Sequence, residues 1–440
     1  MLNVDKTDKD PLMENTKKIV INIARFLVGL CFVFSGFVKA IDPLGSSYKF
    51  ADYLEAFHWS FLSDLTFLMA VGLAAAELFL GTALILGLWR KTTSLLALLF
   101  MLFMTPFTLY LAIKNPVSDC GCFGDALILT NWQTFYKNIV LLILVVPVFL
   151  WHDLTYTLFG KRTGSWSAIW CMIFPLLLST YSIRHLPMLD FRPYKIGNKL
   201  VDFMKIPEGA LRDSFDTRFI YEKNGVQKEF SVNDAPLSDP EWKYMDRKVT
   251  QIRKGYTPPI HDFVLEHPTK GIITEEVLND TSYTFLLVSP KLEEANRSTI
   301  ALIQSAYLYA DKQGYAFYGL TNSDGEAIDE WNYEYDSNIE FCTVDDRTLK
   351  TMIRSNPGIL LLKNGVVLQK WGFRDIPDFS KIKSPMNTSQ WGSVRKVNTV
   401  TILGKLFILF LIPLLLFFSF HRGYRLHFNL QKNKKNLDNI

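Results

Sequence analysis

Residues 17–43 read KKIVINIARFLVGLCFVFSGFVKAIDP, and how this run is interpreted decides what surrounds it. Its apolar stretch, Ile19–Val38, is too long for the core of a signal peptide and has no small-residue cleavage site. The residues before it are polar and include Lys6, Lys9, Lys17 and Lys18. The run therefore reads as an uncleaved first transmembrane helix that also serves as the targeting signal.

Five further stretches are apolar enough to span a bilayer: Leu65–Trp89, Ser94–Ile113, Phe135–Leu150, Trp166–Ile183 and Thr401–Phe420. The fourth of the six spans is the weakest, because its uncharged core is short and Lys137 and His152 must reach the interfaces. The last, with ILFLIPLLLFFSF, is the clearest. Basic residues set the orientation. Lys6, Lys9, Lys17, Lys18, Arg90, Lys91, Lys161, Arg162 and the tail Arg422, Arg425, Lys432, Lys434 and Lys435 fall on one side. Only Lys39, Lys49, Lys114 and Lys137 fall in the short loops opposite. The expectation is six spans with both termini cytoplasmic and a large region outside, which in a bacterium is the periplasm.

At 440 residues the chain has room for two or three domains, and its 49% apolar fraction averages two unlike regions. A net charge of +4 is too small and too dispersed to argue for a nucleic-acid partner. Five cysteines do not make a disulfide-rich scaffold. Two of them fall in Asp119-Cys120-Gly121-Cys122-Phe123-Gly124, a short loop between apolar helices. A Cys-x-Cys disulfide closes a very small ring and should be easily reduced. Cys120 and Cys122 are thus candidates for a redox-active pair, with a structural disulfide or a soft-metal site as alternatives. Two sulfurs leave a metal site incomplete, and His58 and His261 could complete it only if folding brought them near. Cys31 and Cys171 lie within spans and read as small hydrophobes. Cys342 reads as a buried strand residue that could at most resolve a disulfide.

Arg25 and Glu77 fall inside spans, where a charge costs about 2.5–3.5 kcal/mol on insertion scales. Each reads either as a polar contact between helices or as part of a proton or quinone site. Glycines 29, 36, 72, 81 and 87, with Ala74–Ala76, would let the helices approach closely. Between the first two spans, KFADYLEAFHW (Lys49–Trp59) has helical spacing and reads as a short helix on the outer surface, an interfacial anchor in preference to a roof over the bundle near the cysteine loop.

Arg25, Gly29, Ser35-Gly36-Phe37-Val38-Lys39, Asp42-Pro43, Glu77 with Gly81, and Cys120-Gly121-Cys122-Phe123-Gly124 together resemble the DoxX/MauE group of four-helix membrane proteins over about Lys17–Trp151. The resemblance implies a redox or maturation role. Members of the group are associated with quinone-linked sulfur oxidation and with maturation of disulfide-containing periplasmic enzymes.

Beyond the fifth span the composition is that of a soluble domain. RFIYEKNG followed by QKEFSV, with Asn224-Gly225 between two alternating runs, signals a hairpin in a small β-rich subdomain. From about Tyr256 the order changes. A strand at Thr284–Val288 precedes a helix at Leu292–Gln313, a strand at Ala316–Leu320, a polar helix, a strand at Ile339–Thr343 and a helix at Arg347–Arg354. A hairpin of Ile359–Leu362 and Val366–Trp371 follows. That order, and His261-Asp262-Phe263-Val264-Leu265, resemble the TlpA-like and peroxiredoxin-like branch of thioredoxin folds. Where a working thioredoxin carries Cys-x-x-Cys, this chain has Ser289-Pro290-Lys291-Leu292. Pro357 matches the family's cis-proline position. The resemblance implies a redox-dead domain that binds a partner through Ser289, Pro290 and Pro357.

The expected organisation is a cytoplasmic N-terminus (1–18), a four-helix DoxX/MauE-like membrane domain (19–158), a fifth span (159–189), a β-rich subdomain (190–254), a thioredoxin-like α/β domain (255–385), a linker (386–399), a sixth span (400–421) and a basic tail (422–440). The expected function is thiol-disulfide or electron exchange between a periplasmic or envelope protein partner and the membrane pool. Cys120 and Cys122 would be the exchanging thiols, and quinone a possible acceptor in a bundle containing Arg25, Lys39 and Glu77. The alternative is a non-catalytic scaffold or maturation factor for an envelope complex.

Overall fold

The computed structural model describes residues 11–437 apart from 118, 212, 213, 233, 237, 238 and 254. Lys6 and Lys9, counted above in the charge bias, lie outside the described residues, as do the side chains of Lys161, Arg425, Lys432, Lys434 and Lys435. The membrane part comprises α1 (Pro11–Ile41), α2 (Pro43–Ala56), α3 (Thr66–Leu86), α4 (Arg90–Lys114), α5 (Asn131–Leu150) and α6 (Lys161–Arg184). It is joined from the other end of the chain by α12 (Thr399–Leu437), the last helix of the fold. All of these except α2 are long and apolar enough to cross a membrane, so all six expected spans are helices. The fourth span is the shortest at 20 residues, but the fifth rather than the fourth is the least apolar. The basic tail does not leave the last span: the helix continues through it to Leu437.

Backbone contact between α1 and α3 organises the bundle. A Cβ at Gly36 would lie 2.3 Å from Leu78 N, and one at Gly81 2.5 Å from Val33 N, so only glycine allows this approach. Gly72, expected to act in the same way, faces open space. Helix α6 packs on α1 and α3 and carries α12, with Trp170 Nε1 donating to Phe410 O at 3.0 Å.

Outside the bundle come α7 (Leu200–Met204), then β1 (Ser214–Lys223), β2 (Val226–Ser231) and β3 (Lys243–Arg253), which form a three-stranded sheet in the order β2-β1-β3. Asn224 and Gly225 turn the first hairpin, both with positive φ (54° and 79°), which is what a two-residue turn with a primed geometry requires. A larger unit follows: β4 (Glu266–His267), β5 (Gly271–Ile272), α8 (Thr274–Asn279), β6 (Thr284–Val288), α9 (Ile300–Gln313), β7 (Ala316–Thr321), α10 (Gly325–Glu334), β8 (Glu340–Thr343), α11 (Asp346–Met352), β9 (Gly358–Lys363) and β10 (Val366–Gly372). The sheet order is β10-β9-β6-β7-β8-β4-β5, with β6, β7 and β8 parallel and β9 antiparallel to β6. Strand β6 is buried on both faces. Leu286 and Val288 join one core with Leu349 and Met352 of α11, while Phe285 and Leu287 join a second with Ile303 and Ala306 of α9.

Three boundaries differ from the sequence reading. Residues 190–205 belong to the α/β unit and not to the β-rich subdomain: Tyr194 and Leu200 sit in its first core, and Leu200 N–H donates to Gly365 O at 2.8 Å. The three-stranded sheet is therefore an excursion from that unit. Its two ends are tied together, with Tyr256 N–H donating to Leu211 O (2.8 Å) and Ile260 N–H to Phe203 O (3.1 Å). The first part of the presumed linker 386–399 is also core, since Met386 is fully buried and Arg395 N–H donates to Leu368 O. Helix α9 starts at Ile300 rather than Leu292, because Asn296 Oδ1 accepts the Ser298 N–H and opens a short 3-10 turn first.

Candidate functional site

Ser35 and Lys39 stand one turn apart on α1 and face Glu77 of α3 across the close-packed seam. The Lys39 ammonium, 5% exposed, has three N–H bonds and three acceptors. These are Ser35 Oγ at 2.7 Å, Glu77 Oε2 at 2.8 Å and the carbonyl of Cys122 at 2.5 Å. Ser35 Oγ in turn lies 2.8 Å from Glu77 Oε2 and 2.7 Å from Cys122 O, either of which can accept its one proton. A buried ion pair of the membrane helices thus ends on the backbone of the cysteine loop.

From the other side, α2 holds the loop. Tyr53 Oη donates to Cys120 O at 2.8 Å, and Lys49 Nζ pairs with Asp119 Oδ2 at 2.7 Å. Asp119 Oδ1 accepts the Gly121 N–H at 2.9 Å, and Gly121 takes φ +63°, a conformation that suits glycine. Phe123 is buried against Phe34, with the Lys137 ammonium 4.4 Å from its ring centroid. Helix α2, expected to be an interfacial anchor, therefore roofs the bundle over the loop. The amphipathic spacing of Lys49–Trp59 gave its helical character, but not which surface its polar side chains would meet.

Within this frame Cys120 Sγ and Cys122 Sγ are 2.9 Å apart, closer than a sulfur–sulfur van der Waals contact, and both are free thiols. Cys120 is buried and Cys122 partly exposed. The hydrogen bond from Cys120 lowers the Cys122 thiol to about 6, against its burial and with help from the Lys137 and Lys39 ammoniums. The same bond, together with burial, pushes Cys120 well above the usual thiol range. The pair is electrically asymmetric, with one sulfur inclined to be thiolate and the other its hydrogen-bond donor.

A cavity of about 20 Å³ lies on the membrane side of the loop, lined by Cys122, Cys31, Ser35, Glu77, Lys137 and Asn138 among others. It has room for about one water. The grouping of Arg25 with Lys39 and Glu77 does not hold. Arg25 is 14 positions before Lys39 on α1, about 21 Å along a helix at 1.5 Å per residue, and donates to Tyr156 O near the opposite end of the bundle. Cys31, read as a small hydrophobe, shares the cavity with Cys122; only its place one turn before Ser35 could have suggested this. Cys342 is buried in the α/β core and Cys171 between helices. Among the described residues no group of three or more His, Cys, Asp or Glu side chains is placed to hold a metal ion, so neither His58 nor His261 joins the thiols in one.

The α/β unit sits on this site. Arg354, 6% exposed, donates from Nε to both carboxylate oxygens of Asp42 (3.0 Å each) and from Nη2 to Asp125 Oδ2 (3.1 Å). Its guanidinium lies 5.2 Å from the Tyr48 ring centroid. Asp42 begins α2 and Asp125 lies three residues after Cys122, so one arginine joins helix, loop and outer unit. Behind it Arg192 and Lys370 flank Asp190, at 2.8 and 2.7 Å; burial would raise that carboxyl, but the two cations hold it well below its usual range. No local sequence pattern points to Arg354. Ser289 Oγ donates to Asn356 Oδ1 at 2.6 Å, so Ser289 stands beside the Asn356–Pro357 peptide, which is cis.

Residues 17–151 match the protein family described as methylamine utilisation protein MauE, and residues 215–254 match a domain of unknown function, DUF8463. The first covers α1 to α5, so the chain carries a MauE-like membrane domain, and the second coincides with the three-stranded sheet. Neither match reaches the α/β unit. No curated protein and no solved structure matched the chain.

Proposed function

We propose that the protein exchanges thiols and disulfides with a partner at Cys120 and Cys122. The observation carrying this reading is the asymmetric pair itself: two sulfurs 2.9 Å apart, the partly exposed one with the lowered pKa. The Cys122 thiolate attacks a sulfur of a partner disulfide, forming a mixed disulfide and releasing the partner's other sulfur as thiolate. Cys120 then gives up its proton and attacks Cys122 Sγ, closing the intramolecular disulfide and expelling the partner's first sulfur. Two electrons pass to the partner, whose thiolates take up protons from Cys120 and from water. Run backwards, the same steps oxidise a partner dithiol.

The MauE likeness supports a membrane protein tied to redox or maturation work in the envelope. Six spans with both termini cytoplasmic would place loop and α/β unit in the periplasm, where disulfides persist. The α/β unit is read as thioredoxin-like from its strand and helix order and its cis Pro357, with Ser289 where that fold carries its thiols. It would bind the partner rather than react with it. That loss of thiols is also the observation favouring the second reading, a scaffold or maturation factor.

Trapping separates the two. Cys120→Ser keeps the attacking thiol and loses the resolving one, so it should accumulate a mixed disulfide with the partner in cells, seen as a reducible adduct after acid quench and gel separation. Cys122→Ser should not. If Cys120→Ser/Cys122→Ser retains full cellular function, the exchange reading fails and the scaffold reading replaces it.

A further inference from the structure

At the end of the bundle opposite the cysteine loop, Arg25 and Arg90 line one small cavity, together with Gly87, Thr93, Ser94 and Thr155 among others. Arg25 is only 9% exposed, and its Nε–H is buried without a hydrogen-bond partner. Its Nη1 donates to Tyr156 O at 2.6 Å, and Arg90 Nη1 donates to the carbonyls of Asp153 and Thr155. Neither guanidinium is within ion-pairing distance of a carboxylate among the described residues; the Asp153 side chain is turned out, 83% exposed, beside His152. Two cations sharing a cavity without a counter-charge repel each other, and a buried donor left unmade is costly.

The cavity also receives the start of a long helix. Arg90 is the first residue of the 25-residue α4, whose N-terminus has no side-chain cap, so its first N–H groups and dipole add positive potential at the same point. Lys17 and Lys18 lie over the Trp151 and Tyr156 rings at this end. An uncapped N-terminus, a buried unpartnered Nε–H and two guanidiniums that meet only neutral carbonyls suit an anion with several acceptor oxygens.

We propose that this end of the bundle binds a phosphate group, as the headgroup phosphodiester of an anionic phospholipid or as free phosphate. The cavity measures about 10 Å³, close to the smallest that holds a water. It therefore admits at most one phosphate oxygen, with the remainder of the group outside it against Arg90.

Full-length protein in mild detergent, titrated with phosphatidylglycerol or phosphatidylcholine and read by native mass spectrometry, tests the site. The wild type should favour phosphatidylglycerol by about tenfold, because the choline ammonium of phosphatidylcholine is repelled by Arg25 and Arg90. Arg25→Gln should lose that preference. Arg90→Gln reads the same site should Arg25→Gln fail to insert. Lys91→Gln, a neighbouring exposed charge, should keep the preference. Inorganic phosphate is the second probe. If it displaces phosphatidylglycerol and raises the melting temperature of the wild type but not of Arg25→Gln, the site reads the phosphate group itself. If phosphatidylglycerol alone does so, the site reads a lipid headgroup. Equal binding of the two lipids with no response to phosphate would overturn the proposal, as would a loss in Lys91→Gln matching that in the arginine variants.

Discussion

Arg354 and Asp42 are 312 positions apart in the chain, yet the Arg354 Nε lies 3.0 Å from both oxygens of the Asp42 carboxylate. Asp42 begins the helix that roofs the cysteine loop, and Arg354 stands three residues before the cis Pro357. The pair makes the outer unit part of the loop's setting rather than a domain on a tether.

Arg354→Ala should loosen that setting. Asp42 and Asp125 would lose their common cation, at a cost of up to roughly 3 kcal/mol, the low end for a buried pair because Asp125 is partly exposed. Amide hydrogen exchange should rise at residues 119–126 while the α/β core keeps its protection. Unchanged exchange in the loop would show that the latch contributes nothing to its order.

Glu77→Gln leaves the Lys39 ammonium buried with only neutral acceptors. Breaking one side of a buried pair costs about 3–5 kcal/mol, whereas removing both charges can be close to neutral. Thermal unfolding of purified full-length protein should therefore show Glu77→Gln well below the wild type, and Lys39→Met/Glu77→Leu above Glu77→Gln. A double variant no more stable than the single one would mean that the pair is not what the loop backbone rests on.

Alkylation should follow the asymmetry of the thiols. Because the folded Cys122 is lowered to about 6 from an ordinary thiol value, it is thiolate above that pH and thiol below it. Its labelling by iodoacetamide, read by peptide mass spectrometry, should rise through pH 6 and be flat by pH 8. Cys120, raised, should remain slow across the range. Equal rates at the two positions would remove the assignment of attacking and resolving roles.

The autonomous outer fragment should begin near Asp190, not Tyr256. Residues 256–378 alone omit Tyr194, Leu200 and Met386, all of which are buried in its two cores. A fragment of residues 190–397 should melt cooperatively by circular dichroism and lack disulfide reductase activity, while 256–378 should not show a cooperative transition. Reductase turnover surviving Cys342→Ala would refute the binding-only role.

Much of the architecture could be read in the residues because its determinants are local. Apolar length set the six spans, Asn224-Gly225 the hairpin turn, and the alternation of β-branched and helical runs the strands from Thr284 to Trp371. What could not be read came from contacts between distant segments. Nothing in RSNP says that Arg354 will meet Asp42, and nothing near Tyr194 or Met386 marks them as core of a unit whose strands lie elsewhere. The candidate site divides in the same way. Cys120 and Cys122 were evident from their spacing. Arg25 and Glu77 share an oddity, charge within a span, but helix geometry puts Arg25 about 21 Å along α1 from Lys39, the residue that pairs with Glu77.

The tied ends of the three-stranded sheet bear on how such a chain can change over generations. Leu211 bonds to Tyr256 and Phe203 to Ile260, so the entire excursion leaves and rejoins the α/β unit at one doorway. Whatever occupies residues 212–255 can be lengthened, exchanged or removed without re-routing a core strand or disturbing the Arg354 latch. A matched family model confined to residues 215–254 is what such an interchangeable cassette would leave behind. Related chains should therefore differ most in that segment, in length and in sequence, while the close-packed seam of α1 and α3 stays the same.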